Sequence, residues 1–387
     1  MKKIFASQIE VGMTLPCDIY NEKGVLLWAA GSTVKNENQV AKLVKHGYRS
    51  ELQEWIPGKG SGKGVDGGKK EGRVQKSYVY NTVLEALLEI ELPLNYIFDV
   101  FKADSFFKEK RDLTAQINAV VDLIMDVCIK HEAETIGTIH LYRQSKFTVL
   151  NAIYNAIVAI FICRSIGVKE KYQRIIAGAA LTSNGSIVKL TETLCTQQRK
   201  MSKEQHLEMK NHPENSLMLL TRAGVRDGMW LDTVYMHHEL VDGSGYPRGV
   251  KDEEIPIGAK ILAVADAYVT MILPKQAMQL AVPPPTALVR LFQNNAKSLD
   301  AKIMGKLIKR FGMYPPGTFV NLKDGGIGVI IKGADNNPIV TKVGDKITNF
   351  YSEFSLTAHY SIAEIINTPP QLPKKFFKLW ADAEAAK

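Results

Sequence analysis

The chemistry of this chain centres on imidazoles. His237-His238-Glu239 is followed at once by Leu240-Val241 and then Asp242-Gly243-Ser244-Gly245-Tyr246-Pro247. Adjacent histidines are uncommon, and two glycines and a proline force a compact irregular loop directly behind them. Upstream, His212-Pro213 lies in Met209-Lys210-Asn211-His212-Pro213; downstream, Asp266 closes the apolar run Ile261-Leu262-Ala263-Val264-Ala265. Imidazole and carboxylate are ligands for transition ions, so His212, His237, His238 and Asp266 can form a metal site. The same groups make an equally good hydrogen-bonded structural cluster, and residue type alone leaves both readings open.

Helices must position these groups. From Val79 to about Phe311 apolar residues recur at helical spacing, as in Val83, Leu84, Leu87, Leu88 and Ile90, or Ile117, Val120, Val121, Ile124 and Val127. The run from Phe147 to Ile166 is apolar nearly all round, the pattern of a central bundle helix, and its polar Asn151, Tyr154 and Asn155 and its short length argue against a membrane span. Further helices are expected over 174–182, 203–222, 229–240 and 258–272. The expected class is mainly α, a helical bundle carrying a small N-terminal α/β unit and a small C-terminal β unit.

Residues 1–55 form the N-terminal unit. Strand-like runs Thr14 to Tyr20 and Val25 to Ala29 flank the turn Asn21-Glu22-Lys23-Gly24, and a short helix follows from Asn36 to His46. Residues 56–77 are rich in Gly and Lys and predict a flexible linker. A phosphate loop fits poorly there, because Pro57 stands where the first glycine belongs. A helical segment over 78–140 precedes the main helical domain, 141–312. The β unit, 313–366, is expected from Thr318 to Leu322, Ile327 to Lys332 and Pro338 to Val343, with Lys323-Asp324-Gly325-Gly326 as a turn. The tail, 367–387, reads as a short helix from Pro373.

The 387 residues carry a net charge of +9 and a pI near 9.1, with 45% hydrophobic and 23% charged residues. That balance permits anionic ligands, but no arginine-rich arm or helix-turn-helix pattern supports DNA binding. Cys17, Cys128, Cys163 and Cys195 form no CxxC pair and read as thiols of a reducing compartment. No apolar run follows Met1-Lys2-Lys3, so no signal peptide is expected and the expected location is cytoplasmic.

The stretch from His237 to Pro247 resembles the signature of the HD-GYP family almost residue for residue, and Glu253 to Asp266 and Met209 to Pro213 continue the likeness over roughly residues 141–312. The resemblance implies an HD-domain-like helical bundle. Proteins of that family hydrolyse cyclic di-GMP with two or three metal ions, often iron, that activate water. It also implies that His212, His237, His238 and Asp266 occupy ligand positions.

The sequence departs from the pattern where the chemistry is most demanding. Counted without gaps, the family's His-Asp pair falls on Ser183-Asn184, its first-helix histidine on Asn151, an acidic ligand on Phe147 and a lysine on Ile187. The later Arg-x-Tyr-Arg run reads Lys275-Gln276-Ala277-Met278. Asn184 keeps the shape of a bridging aspartate without its charge. The expectation is therefore a degenerate member with no assigned catalytic residue. It would hold one transition ion at most, iron or manganese, or none, and bind cyclic di-GMP or a related cyclic dinucleotide with little turnover. The alternative is an active phosphodiesterase with a reduced metal site. The loop residues Asp242, Gly243, Gly245, Tyr246 and Pro247, together with Lys275, are the expected nucleotide or partner contacts. In the family that loop meets diguanylate cyclase (GGDEF) domains, which makes such a domain the candidate partner. A homodimer is compatible with the sequence.

Overall fold

The computed structural model describes residues 80–103, 112–274, 281–333, 338–346, 349–358, 360–367, 376–377 and 379–380, and, in the first 50, residues 2–3, 11–15, 18–21, 26–29, 32–36, 39–40, 42–43 and 48–49. The Gly/Lys linker and Lys275 to Met278 lie outside the described residues. Contacts divide the chain into two compact units, Met1–Asn81 with Glu85–Tyr96, and Thr82–Leu84 with Ile97–Lys387.

In the first unit, short strands β1 (Lys2–Lys3), β2 (Ile19–Tyr20), β3 (Leu26–Trp28) and β4 (Tyr48–Arg49) pair antiparallel in the order β1-β4-β2-β3. Leu15, Ile19, Val34 and Leu43 form its core beside Trp28 and Val40. Of the strand expected from Thr14 to Tyr20, residues 16–17 lie outside the described residues; Thr14 makes an isolated bridge to Thr33, and Ile19 and Tyr20 pair with β3.

The helices are α1 (Val83–Lys102), α2 (Thr114–Lys130), α3 (Glu132–Leu141), α4 (Phe147–Ser165), α5 (Glu170–Thr182), α6 (Val188–Thr196), α7 (Lys203–Arg222), α8 (Gly228–Met236), α9 (Ile257–Ile272), α10 (Pro284–Asn295) and α11 (Ala301–Phe311). Every residue of α4 from Thr148 to Cys163 is buried, with α2, α5, α6, α9 and α11 packed around it. Among the described residues α4 alone is long and apolar enough to cross a membrane, and here it is the core of the bundle. Its buried polar residues Thr148, Asn151 and Asn155 recur at spacings of three and four, so they form one stripe on an otherwise apolar cylinder.

Local signals set the other helix ends. Ser202 and Gln205 close α7 with a reciprocal capping box: the Gln205 amide donates to Ser202 Oγ at 3.2 Å and the Ser202 amide to Gln205 Oε1 at 2.9 Å. Asp227 caps α8 by accepting from the Trp230 amide at 3.0 Å. The helix expected over 229–240 stops at Met236, so His237 and His238 stand in the turn beyond it. The glycine-rich loop behind them takes the chain away before another turn can form.

The C-terminal sheet is antiparallel, ordered β8-β7-β6-β5-β9, from β5 (Phe319–Leu322), β6 (Ile327–Lys332), β7 (Ile339–Lys346), β8 (Asn349–Ala358) and β9 (Ile362–Ile365). The last two strands were not anticipated. Two close approaches bind the sheet and the following residues to the bundle. A Cβ on Gly137 would lie 2.1 Å from the Trp380 ring, and Trp380 Nε1 donates to the Ile331 carbonyl at 2.8 Å. A Cβ on Gly317, whose φ is +85°, would fall 2.8 Å from the Gly137 carbonyl.

His140 ties α3 to α9 and to the sheet. Its Nδ1 donates to the Pro316 carbonyl at 2.7 Å, leaving Nε2 to accept from the Tyr268 hydroxyl at 2.8 Å. Burial drives its pKa down to about 3. The folded state therefore resists a proton that the unfolded chain takes up near its ordinary value of 6.5. Stability is full above pH ~6.5 and falls by a few kcal/mol as pH drops toward 3. Urea unfolding across this range should show that decline. The variant His140→Asn should be less stable at pH 7 with a shallower acid slope; an unchanged slope would assign the decline to other groups.

Candidate metal centre

Three imidazoles converge where α7 meets the turn after α8. His212 and His237 are fully buried and His238 partly so; one ring nitrogen from each lies within 4.8 Å of the others. The rings of His212 and His238 are centred 4.9 Å apart, those of His237 and His238 4.1 Å.

Backbone carbonyls decide which nitrogens face inward. His212 Nδ1 lies 2.6 Å from the Met209 carbonyl, and His237 Nδ1 2.7 Å from the Val234 carbonyl. A carbonyl only accepts, so both Nδ1 atoms carry a proton, and in the neutral ring each Nε2 then carries a lone pair. The two Nε2 atoms then stand 3.2 Å apart. Facing lone pairs at that distance repel unless a cation sits between them. Two imidazole nitrogens bound at about 2.05 Å to one tetrahedral ion stand about 3.3 Å apart. The residues fit a metal ion, and the carbonyl bonds are the usual outer support for metal-binding histidines. Burial, with the neighbouring imidazole acting the same way, holds His237 well below its ordinary pKa and His238 at about 3, so these two rings are neutral donors near pH 7.

The opposite wall is made of amides. Asn184 Nδ2 donates to Asn151 Oδ1 at 3.2 Å, Asn155 Nδ2 reaches the same oxygen at 3.4 Å, and Asn155 Nδ2 also donates to Asp266 Oδ1 at 3.0 Å. Asp266 thus lies near the imidazoles, but outside the group of three whose donor atoms converge, with one oxygen occupied by an amide. Together these walls bound a cavity of about 180 Å³, lined by Asn151, Asn184, His212, His238 and Asp266 on one side of a largely apolar rim that includes Phe147, Ile187 and Met209. Thr148 also lines it, and its buried hydroxyl has no hydrogen-bond partner among the described residues.

Ser183 does not line this cavity. It is buried at the end of α5, with its hydroxyl 3.4 Å from the Ala180 carbonyl. Consecutive helical residues point about 100° apart, so Asn184 faces the site and its neighbour turns away. Lys275 falls outside the described residues.

The loop behind the histidines folds back on them. Tyr246 stacks on His238, ring centroids 4.8 Å apart and 23° from parallel, and its amide donates to the His238 carbonyl at 3.1 Å. Burial and the nearby Asp266 charge push the Tyr246 hydroxyl up to about 12. Asp242 is exposed and holds the Ser244 amide at 2.9 Å, and Pro247 is exposed. Gly243 takes a φ of +83°, open to glycine. Gly245 is demanded by space: a Cβ there would fall 2.4 Å from Leu240 N and 2.5 Å from the His238 carbonyl, both backbone atoms. The organiser of the loop is Glu239, which sequence reasoning passed over as a motif letter. Its buried carboxylate accepts from the amides of Arg248 at 2.5 Å, Gly249 at 3.2 Å and Val250 at 3.1 Å. Asn155, also passed over as a site residue, was legible only as a polar residue on the central helix.

The variant Glu239→Ala should lose about 3 kcal/mol of stability, because three backbone amides lose a charged acceptor. Chemical denaturation checks this; a loss under about 1 kcal/mol would mean that solvent replaces the carboxylate. Gly245→Ala should perturb the Tyr246–His238 stack, read as a change in Tyr246 fluorescence or ring-current shifts.

Comparison with known proteins places a family on part of the chain: residues 139–303 match the family described as "HD domain". The chain is 23% identical over 219 residues to the cyclic di-GMP phosphodiesterase PA4108 of Pseudomonas aeruginosa, covering 57% of this chain and 52% of that one. It is 22% identical over 205 residues to the cyclic di-GMP phosphodiesterase PdeB of Borreliella burgdorferi, covering 53% and 54%. The chain spans about half the length of these curated relatives. Among solved structures, Bd1817 of Bdellovibrio bacteriovorus, described as an HDG"Y"P protein, aligns with a TM-score of 0.46 and 13% identity over 79% of this chain and 97% of that one.

Proposed function

We propose that the HD domain formed by residues 139–303, of the HD-GYP type, acts in cyclic di-GMP signalling as a single-metal site that binds a cyclic dinucleotide and hydrolyses it little or not at all. One observation carries this reading. The wall facing the three imidazoles is a chain of amides, Asn184 to Asn151 to Asn155, where a second ion would need charged or imidazole donors. An amide neither offsets the charge of a divalent ion nor helps acidify a water shared between ions. His212, His237 and His238 would hold one ion, iron or manganese, whose role when bound is to polarise a phosphate oxygen. Asp266 adds a negative charge to the same cavity but shares it with Asn155.

The cavity supports a binding role of limited depth. At about 180 Å³ it is smaller than the roughly 300–1,000 Å³ that enclose a whole small ligand, so it suits one phosphodiester group with the rest of the nucleotide outside. The free Thr148 hydroxyl on its wall is a hydrogen-bond donor for such a group. Tyr246 belongs to the site through its stack on His238, while the exposed Asp242, Ser244, Pro247 and Arg248 form the outer rim. That rim is the surface we propose for a signalling partner such as a diguanylate cyclase domain.

Metal analysis of the purified protein should find at most one transition ion per chain, with negligible turnover of cyclic di-GMP and a raised melting temperature in its presence. Two tightly held ions, or rapid hydrolysis, would overturn the reading. The double variant Asn151→His with Asn184→Asp should raise metal content above one per chain, whereas Ser183→His alone should not, because position 183 faces away from the cavity.

A further inference from the structure

We infer that Pro213 is a positioning residue: by withholding one backbone N–H it hands the Met209 carbonyl to His212 and so sets which nitrogen of that imidazole faces the site. The inference rests on the proposal that the three imidazoles hold an ion. In an α-helix the N–H of residue 213 donates to the carbonyl of residue 209. Proline has no N–H, yet α7 continues through it from Lys203 to Arg222. The Met209 carbonyl therefore has no helical donor from position 213, and His212 Nδ1 stands 2.6 Å from it. His212 is fully buried, so water does not compete for its ring.

His237 meets the same requirement by another route. Its acceptor, the Val234 carbonyl, lies in the last turn of α8, which ends at Met236, and carbonyls of a final turn lack helical donors. His212 sits in mid-helix, where each carbonyl is normally claimed. There the carbonyl is freed by deleting the donor four residues on, at the position directly after the histidine. With Ala at 213, a backbone N–H would compete for the Met209 carbonyl. His212 would then be free to carry its proton on Nε2, the nitrogen that faces His237 at 3.2 Å. An Nε2–H has no lone pair to give a metal.

The two effects of removing Pro213 have opposite signs, which separates positioning from a structural role. An interior proline weakens a helix, so Pro213→Ala should leave the melting temperature of metal-free protein unchanged or higher. Cobalt(II) affinity, followed by visible absorption on the full chain, should fall on the order of tenfold or more. Pro213→Ser restores the same N–H and should behave alike. Asn211→Ala, an exposed change in the same helix, should leave affinity within about twofold. In parallel, the ring nitrogen shifts of His212 in metal-free protein should report an Nδ1–H ring in the parent and a mixture in Pro213→Ala. If both position-213 variants bind cobalt(II) as the parent does, the inference is overturned and the metal reading stands. If the parent binds no cobalt(II), the metal reading fails. The ring shifts then decide the inference: a change on Pro213→Ala supports it, and identical shifts overturn it.

Discussion

A helix that is apolar on every side has to be enclosed, and that demand on α4 organises the molecule. Its burial from Thr148 to Cys163 requires helices all around it, and α2, α5, α6, α9 and α11 supply them. The hydrophobic gain is indifferent to direction, but three polar side chains on one stripe are not. Thr148, Asn151 and Asn155 must face whatever can satisfy amides and a hydroxyl, which fixes the rotation of α4 in the bundle. They face Asn184 and Asp266, which brings the end of α5 and the middle of α9 to the same place as the histidines.

The site that results joins two kinds of chemistry that do not help each other. On one side, neutral imidazoles have their outer nitrogens tied to carbonyls and their inner lone pairs aimed at a shared point. On the other, amides are linked by hydrogen bonds and carry no net charge. A metal ion gains donors from the first wall and no charge compensation from the second. Asp266, between them, is divided: its carboxylate steadies Asn155 and its charge also reaches the Tyr246 hydroxyl. The loop from Asp242 to Pro247 is held from below by Glu239 and from within by the Tyr246–His238 stack, so its shape and the position of His238 are one structural fact.

Much of this was legible before the structure. Helical periodicity placed α4, α7 and α9 within a residue of their ends, because apolar spacing is a local signal. The histidines, Asp266 and the glycine loop stood out by residue type and spacing. Three things did not. The pairing of Asp266 with Asn155 joins residues on different helices and depends on how α4 is rotated. The turning away of Ser183 follows from helical geometry once Asn184 faces the cavity, yet a gap-free count treats the two positions as equivalent. The strands Asn349–Ala358 and Ile362–Ile365 gain their partners from β7 and β5, and neither segment carries a strong turn signal of its own.

The contact between Gly137 and Trp380 bears on how the protein is made. The groove at Gly137 admits the indole because there is no Cβ to fill it, and the same indole closes onto the Ile331 carbonyl. A ribosome adding roughly 5–20 residues each second delivers Trp380 some tens of seconds after Gly137. Once Phe311 has been added, the helices around α4 are complete while α3 still carries an open notch. The bundle is thus complete in sequence before the residue that seals it is added.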